Sequence, residues 1–220
     1  MENVKAVFFD YDNTLGNRYL ASYNAYKELV NEHSNLPKDD LLREAVVQDM
    51  MTADQCGNVN FAYTCRKVTK KFNFRFFIED PDNWWNDNFY RFAVINKGTL
   101  DLLMYLKRKG YRLGVITNGS AFSQRNKIRH IGIEDFFEAI IVSGDYDFKK
   151  PQKELFLEAL KAFDLPAEEC LYVGDTFSND IYGALKAGMQ AVWIWPDNIS
   201  RPIEYPVHKI HNMSELKEIL

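Results

Sequence analysis

Five short apolar runs, rich in β-branched and aromatic residues, constrain this chain more than any other feature. They read VKAVFF (Val4 to Phe9), YRLGVI (Tyr111 to Ile116), AIIV (Ala139 to Val142), CLYV (Cys170 to Val173) and AVWIW (Ala191 to Trp195). Polar residues do not alternate through them, so they predict strands buried on both faces, as in a parallel sheet covered by helices. Helical patterns lie between the runs. Leu100, Leu103 and Leu106 repeat at helical spacing ahead of Gly110. Further helices are predicted from Ser120 to His130, from Lys153 to Phe163 (apolar side Leu155, Leu157, Ala159, Leu160), and from Asn179 to Ala187, closed by Gly188. Strand and helix alternating in this way specify an α/β fold with a Rossmann-like, doubly wound parallel sheet.

The stretch from Gly16 to Ile95 breaks the alternation. It offers helices at Ala21 to Val30 and Lys38 to Met51, then an aromatic-rich part from Phe72 to Phe92. It is too long for a simple connection. The expected organisation is a catalytic core of residues 1–15 plus 96–220, with a smaller helical cap domain at 16–95 packed over the sheet's edge.

Ligands of open α/β sheets bind beyond the carboxyl ends of the strands. The residues found there are Asp10, Tyr11, Asp12, Asn13 and Thr14 after the first run, and Thr117, Asn118 and Gly119 after the second. Gly174, Asp175 and Thr176 follow CLYV, with Asp180 a helical turn beyond, and Lys149, Lys150 and Pro151 precede a helix. Taken singly, each segment reads as an ordinary turn, cap or solvated loop. Together they bring several carboxylates, a hydroxyl and a lysine to one edge. Like charges raise one another's pKa values, and a divalent cation relieves them. All-oxygen ligation by few protein groups suits Mg²⁺. Phosphoryl transfer, where positioning and charge stabilisation dominate, is the chemistry that fits.

The segments DYDNTL, ITNG, KKP and GDTFSND, in that order, resemble the four motifs of the haloacid dehalogenase superfamily, and span Asp10 to Asp180. The insertion after the first motif resembles the branch with a helical cap there, similar in layout to phosphoglycolate-phosphatase-like and nucleotidase-like members. The resemblance implies Asp10 as nucleophile, forming an aspartyl-phosphate. It implies Asp12 as general acid and then base, its pKa raised by surrounding negative charge, with its main-chain carbonyl on the metal. Thr117, Asn118 (through its main-chain N–H) and Lys150 would bind phosphate. Asp10, Asp12 and Asp175 would hold Mg²⁺, with Asp180 a further ligand or an orienting carboxylate and Asn179 sharing that task. The expected activity is hydrolysis of a small phosphate monoester. A phosphosugar mutase of the same superfamily and a non-catalytic phosphate- or metal-binding protein are the alternatives. Asp12 speaks against the dehalogenase branch, which needs no acid two residues after its nucleophile.

The formal net charge of -4 gives no reason to expect a nucleic acid polymer or an anionic membrane as partner. No signal peptide is read, and no run approaches the ~20 apolar residues of a membrane span. Three cysteines, Cys56, Cys65 and Cys170, have no metal-like spacing and suit a reduced, cytoplasmic setting. Trp84 and Trp85 are expected to pack between cap and core. Arg18 and Tyr19 stand where a cap hinge would, and reach the substrate or pack the hinge. His33, His130, His208 and His211 are assigned no role.

Overall fold

A computed structural model describes residues 1, 3–195 and 203–220. They form two compact units, Asn17–Val94 on the one hand and Met1–Gly16 with Ile95–Leu220 on the other. Unit Asn17–Val94 is helical, with α1 (Arg18–Glu32), α2 (Asp40–Ala53), α3 (Phe61–Phe72) and α4 (Pro81–Asn88). Each starts where the sequence offers a cap: the side chains of Asn17, Asp39, Asn60 and Asp80 accept the N–H groups of Leu20, Leu42, Tyr63 and Asn83. Tyr26, Leu29, Val46, Val47, Met50 and Val68 form the core, and Trp84 and Trp85 pack against it. Trp85 stacks on Phe89 at 3.9 Å and on Phe61 at 4.6 Å between ring centroids. The tryptophans therefore serve the helical unit's own core. Large rings fill much of the space between these helices.

Arg18 is buried in this unit. Its guanidinium donates to both Asp54 carboxylate oxygens, at 2.5 and 3.1 Å, and to Ser22 Oγ at 3.2 Å, and lies over the Phe89 ring. These contacts support the packing role. Tyr19 is exposed, with its hydroxyl 3.2 Å from Cys56 Sγ.

The second unit holds β1 (Ala6–Phe9), α5 (Thr99–Arg108), β2 (Arg112–Thr117), α6 (Ala121–His130), β3 (Ala139–Val142), α7 (Lys153–Phe163) and β4 (Cys170–Gly174). It continues through α8 (Tyr182–Lys186), β5 (Gln190–Ile194), β6 (His208–Ile210) and α9 (Leu216–Ile219). The six strands run parallel in the order β3-β2-β1-β4-β5-β6. This is the order of a doubly wound fold, with its reversal beside β1.

The apolar runs lack alternation because both sheet faces are covered. Val7, Phe9, Leu113, Val115, Leu171 and Val173 point to one side, with Leu102, Leu103 and Leu106 of α5. Ala6, Phe8, Ile116, Cys170, Tyr172 and Trp193 point to the other, with Leu155, Phe156, Ala159 and Phe163 of α7. Two features depart from the sequence reading. The predicted Asn179–Ala187 helix begins as a π turn at Phe177–Ile181 before α8. Strand β6 has no apolar run of its own and owes its place to pairing with β5.

Candidate active site

Strand register assembles the site. Phe9 pairs with both Val115 and Val173, so Asp10 emerges one residue past β1, level with Ile116 and Gly174. The Asp10 N–H continues the ladder to Val173 O at 2.9 Å. Thr117 ends β2, and Asp175 follows β4 directly. The parallel sheet thus delivers Asp10, Thr117 and Asp175 to the same edge.

Lys150 joins them from the loop before α7. Its ammonium is buried and donates to Asp10 Oδ1 at 2.7 Å, Asp180 Oδ1 at 2.7 Å and the Tyr172 hydroxyl at 2.9 Å. Asn118 fixes that loop. Its side chain donates to Lys150 O (3.1 Å) and accepts from Lys150 N (2.9 Å). The structure thus gives the Asn118 side chain a scaffolding task that the sequence reading did not foresee.

Asp180 is buried on the π turn, and both of its oxygens are engaged. Oδ1 accepts from Lys150 and from the Tyr172 hydroxyl (3.2 Å), and Oδ2 accepts the Thr176 N–H at 2.9 Å. Gly174 makes room for it. A Cβ at Gly174 would stand 2.5 Å from Asp180 Cβ, well inside contact distance. Asp10, Asp175 and Asp180 each place a carboxylate oxygen within 4.8 Å of the others. Among the described residues, Asp10 Oδ2 and Asp175 Oδ2 receive no hydrogen-bond donor. Two unengaged anionic oxygens beside a fully bonded third carboxylate make a donor set suited to a hard divalent cation.

The electrostatics agree. Burial, joined by repulsion from Asp180 and Asp12, pushes Asp10 up to about 6 from its ordinary 3.8, against the pull of Lys150. Asp175 is raised well above its ordinary value by burial, then by Asp180 and Asp10. Burial disfavours the Lys150 ammonium, but Asp10 and Asp180 outweigh it and raise its pKa. Asp10, Asp175 and Asp180 together carry more negative charge than Lys150 neutralises, and a bound cation would supply the balance.

Two side chains of α6 reach Asp12. The Lys127 ammonium donates to both of its carboxylate oxygens, at 2.8 and 2.7 Å, and the Gln124 amide donates to Oδ2 at 3.0 Å. Asp12 also stands close enough to Asp10 for its charge to raise the Asp10 pKa. Lys127, Gln124 and Tyr172 were missed from sequence. Lys127 sits in the basic stretch RNKIRH, indistinguishable there from a solvated face, and Tyr172 reads as strand core. Asn179 is half-buried on the π turn, its N–H bonded to Thr176 O at 3.1 Å.

Comparison with known proteins bears on this arrangement. The family model of haloacid dehalogenase-like hydrolases matches residues 7–194. The glyceraldehyde 3-phosphate phosphatase of Pyrococcus abyssi is 34% identical over 197 residues, covering 86% of this chain and 81% of its own. The N-acylneuraminate-9-phosphatase of Rattus norvegicus is 29% identical, covering 88% of this chain and 84% of its own. The magnesium-bound structure of the HAD-hydrolase YfnB from Bacillus subtilis superposes with a TM-score of 0.75 at 25% identity, over 99% of both chains.

Proposed function

This chain belongs to the haloacid dehalogenase-like hydrolases and is a phosphatase, and we propose that it cleaves a small phosphate monoester with Asp10 as nucleophile and Mg²⁺ as cofactor. The observation that carries this reading is the Asp10–Lys150–Asp180 contact, with Asp175 alongside.

In this account Lys150 holds Asp10 in place and offers positive charge to the equatorial phosphate oxygens as negative charge spreads over them. The Thr117 hydroxyl and the Asn118 main-chain N–H hold further phosphate oxygens. Asp10 attacks phosphorus in line with the ester oxygen, which departs as the aspartyl-phosphate forms. Asp12 gives its proton to that oxygen, then takes one from the water that attacks the intermediate phosphorus and frees Asp10. The Asp10 and Asp175 carboxylates and the Asp12 main-chain carbonyl would hold Mg²⁺, which supplies charge neutralisation and orientation of the phosphate. Asp180, with both oxygens already bonded, acts as the orienting carboxylate rather than as a ligand. Asn179, beside it on the same π turn, supports that outer layer.

The helical unit is read as a cap that selects the leaving group. The two named phosphatase relatives act on phosphate esters of small oxygen-rich carbon chains, which favours a triose or sugar phosphate over a nucleotide. Phosphate release is to be measured on triose phosphate, hexose phosphates and nucleoside monophosphates, with Mg²⁺ and with EDTA. Mg²⁺-dependent release, greatest on a triose or sugar phosphate, is expected. No release from any of them would refute the reading.

A further inference from the structure

Helix α6 carries a feature that the phosphate and metal roles do not use. Gln124 and Lys127 lie at i and i+3 on one helical face, and both reach Asp12. The Lys127 side chain is only 5% exposed, against 24% for Asp12. Lysine is seldom buried this far without a partner, because desolvating an ammonium costs several kcal/mol unless its hydrogen bonds are replaced. Here both Asp12 oxygens replace them, and the Tyr11 ring lies 4.8 Å below the ammonium.

Gln124 is set as firmly. Its amide nitrogen donates to Asn118 O at 2.5 Å as well as to Asp12. Turning the amide over would place its oxygen against two acceptors, so its orientation is fixed by chemistry. Gly119 leaves the space it occupies, since a Cβ there would stand 2.8 Å from Gln124 Nε2, at a φ of +142°. A loop carboxylate that would otherwise sample several rotamers is thus held by three hydrogen bonds from two side chains of one helix, itself tied through Gln124 to the Asn118 loop.

We propose that Lys127 and Gln124 are positioning residues that hold the Asp12 carboxyl where it meets the leaving oxygen: the proton is carried on Oδ1, whose bond from Lys127 then opens, while Oδ2 keeps both the Lys127 ammonium and the Gln124 amide. This rests on the reading of Asp12 as the general acid. It predicts an effect graded by leaving group. An aryl ester departs without help, whereas an alkyl ester needs a placed proton donor.

Turnover of an alkyl phosphate (glyceraldehyde 3-phosphate) and an aryl phosphate (p-nitrophenyl phosphate) is compared at saturating Mg²⁺ for Lys127→Met, Lys127→Arg, Gln124→Leu and Asp12→Asn. The alkyl-to-aryl ratio should fall about 10–100-fold in Lys127→Met, as for other outer-layer partners, recover most of that loss in Lys127→Arg, and fall less in Gln124→Leu. Equal losses on both esters, or none, in Lys127→Met would overturn the positioning role, provided Asp12→Asn itself lowers the ratio. If Asp12→Asn leaves the ratio unchanged, the acid reading falls instead. Should Lys127→Met not fold, Lys127→Arg and Gln124→Leu decide: an unchanged ratio in Gln124→Leu overturns the proposal.

Discussion

Asp10 is pulled in two directions. The proposed nucleophile must be ionised, yet burial beside Asp180 and Asp12 raises its pKa to about 6. The native state without metal therefore binds a proton more readily than the unfolded chain, whose Asp10 titrates near 3.8. Stability from this group is full below pH 3.8 and is lost as pH rises through about 6, up to about 3 kcal/mol in all. Denaturant titrations in EDTA should show lower stability at pH 7.5 than at pH 5, and Asp10→Asn should flatten that difference. Mg²⁺ should raise Tm more at pH 7.5 than at pH 5. An equal rise at both would mean that the carboxylates do not hold it. Asp10, Asp12, Lys150 and Asp175, to which the proposed roles of nucleophile, acid, phosphate lysine and metal carboxylate fall, were legible in the sequence as short segments at strand ends or before a helix. Lys127 and Gln124 were not, because their meaning depends on which way α6 faces, and periodicity alone does not fix that.

At the scale of elements, the strand ends place chemistry and the turns preserve it. Gly174 shows this most directly. Gly174→Ala would drive a methyl into Asp180, so it should destabilise by about 1–3 kcal/mol and cut kcat through the displaced Lys150 contact. Unchanged kcat would count against Asp180 as the orienting carboxylate. In the helical unit, Arg18–Asp54 is a buried, bidentate pair. Asp54→Ala should cost about 3–5 kcal/mol in a denaturant titration. A loss below 1 kcal/mol would show the pair to be well solvated. The five short apolar runs announced their strands, since double-sided burial leaves an unmistakable composition. β6 could not announce itself, because HKI carries one buried residue and relies on β5 for its ladder. The π turn was also hidden. It widens the helix start so that Asp180 turns inward to Lys150 and Tyr172, a geometry to which sequence spacing is blind.

The whole molecule joins a doubly wound sheet to a helical unit of 17–94, and the two differ in what they ask of a sequence. The sheet unit carries the proposed reacting groups Asp10, Asp12 and Lys150. The helical unit packs through Trp85, Phe61 and Phe89. Substrate choice is accordingly the least legible property in the sequence, since aromatic residues in a small helical unit serve packing first. The central claim is that phosphate passes through Asp10. It is tested most directly by quenching turnover of glyceraldehyde 3-phosphate in acid and mapping phosphorylated peptides by mass spectrometry. A phosphoryl group on Asp10 in the wild type, absent in Asp10→Asn together with a rate loss of at least about 10⁴-fold, is the predicted result. Full turnover by Asp10→Asn, or a phosphoryl group on another residue, would contradict the account.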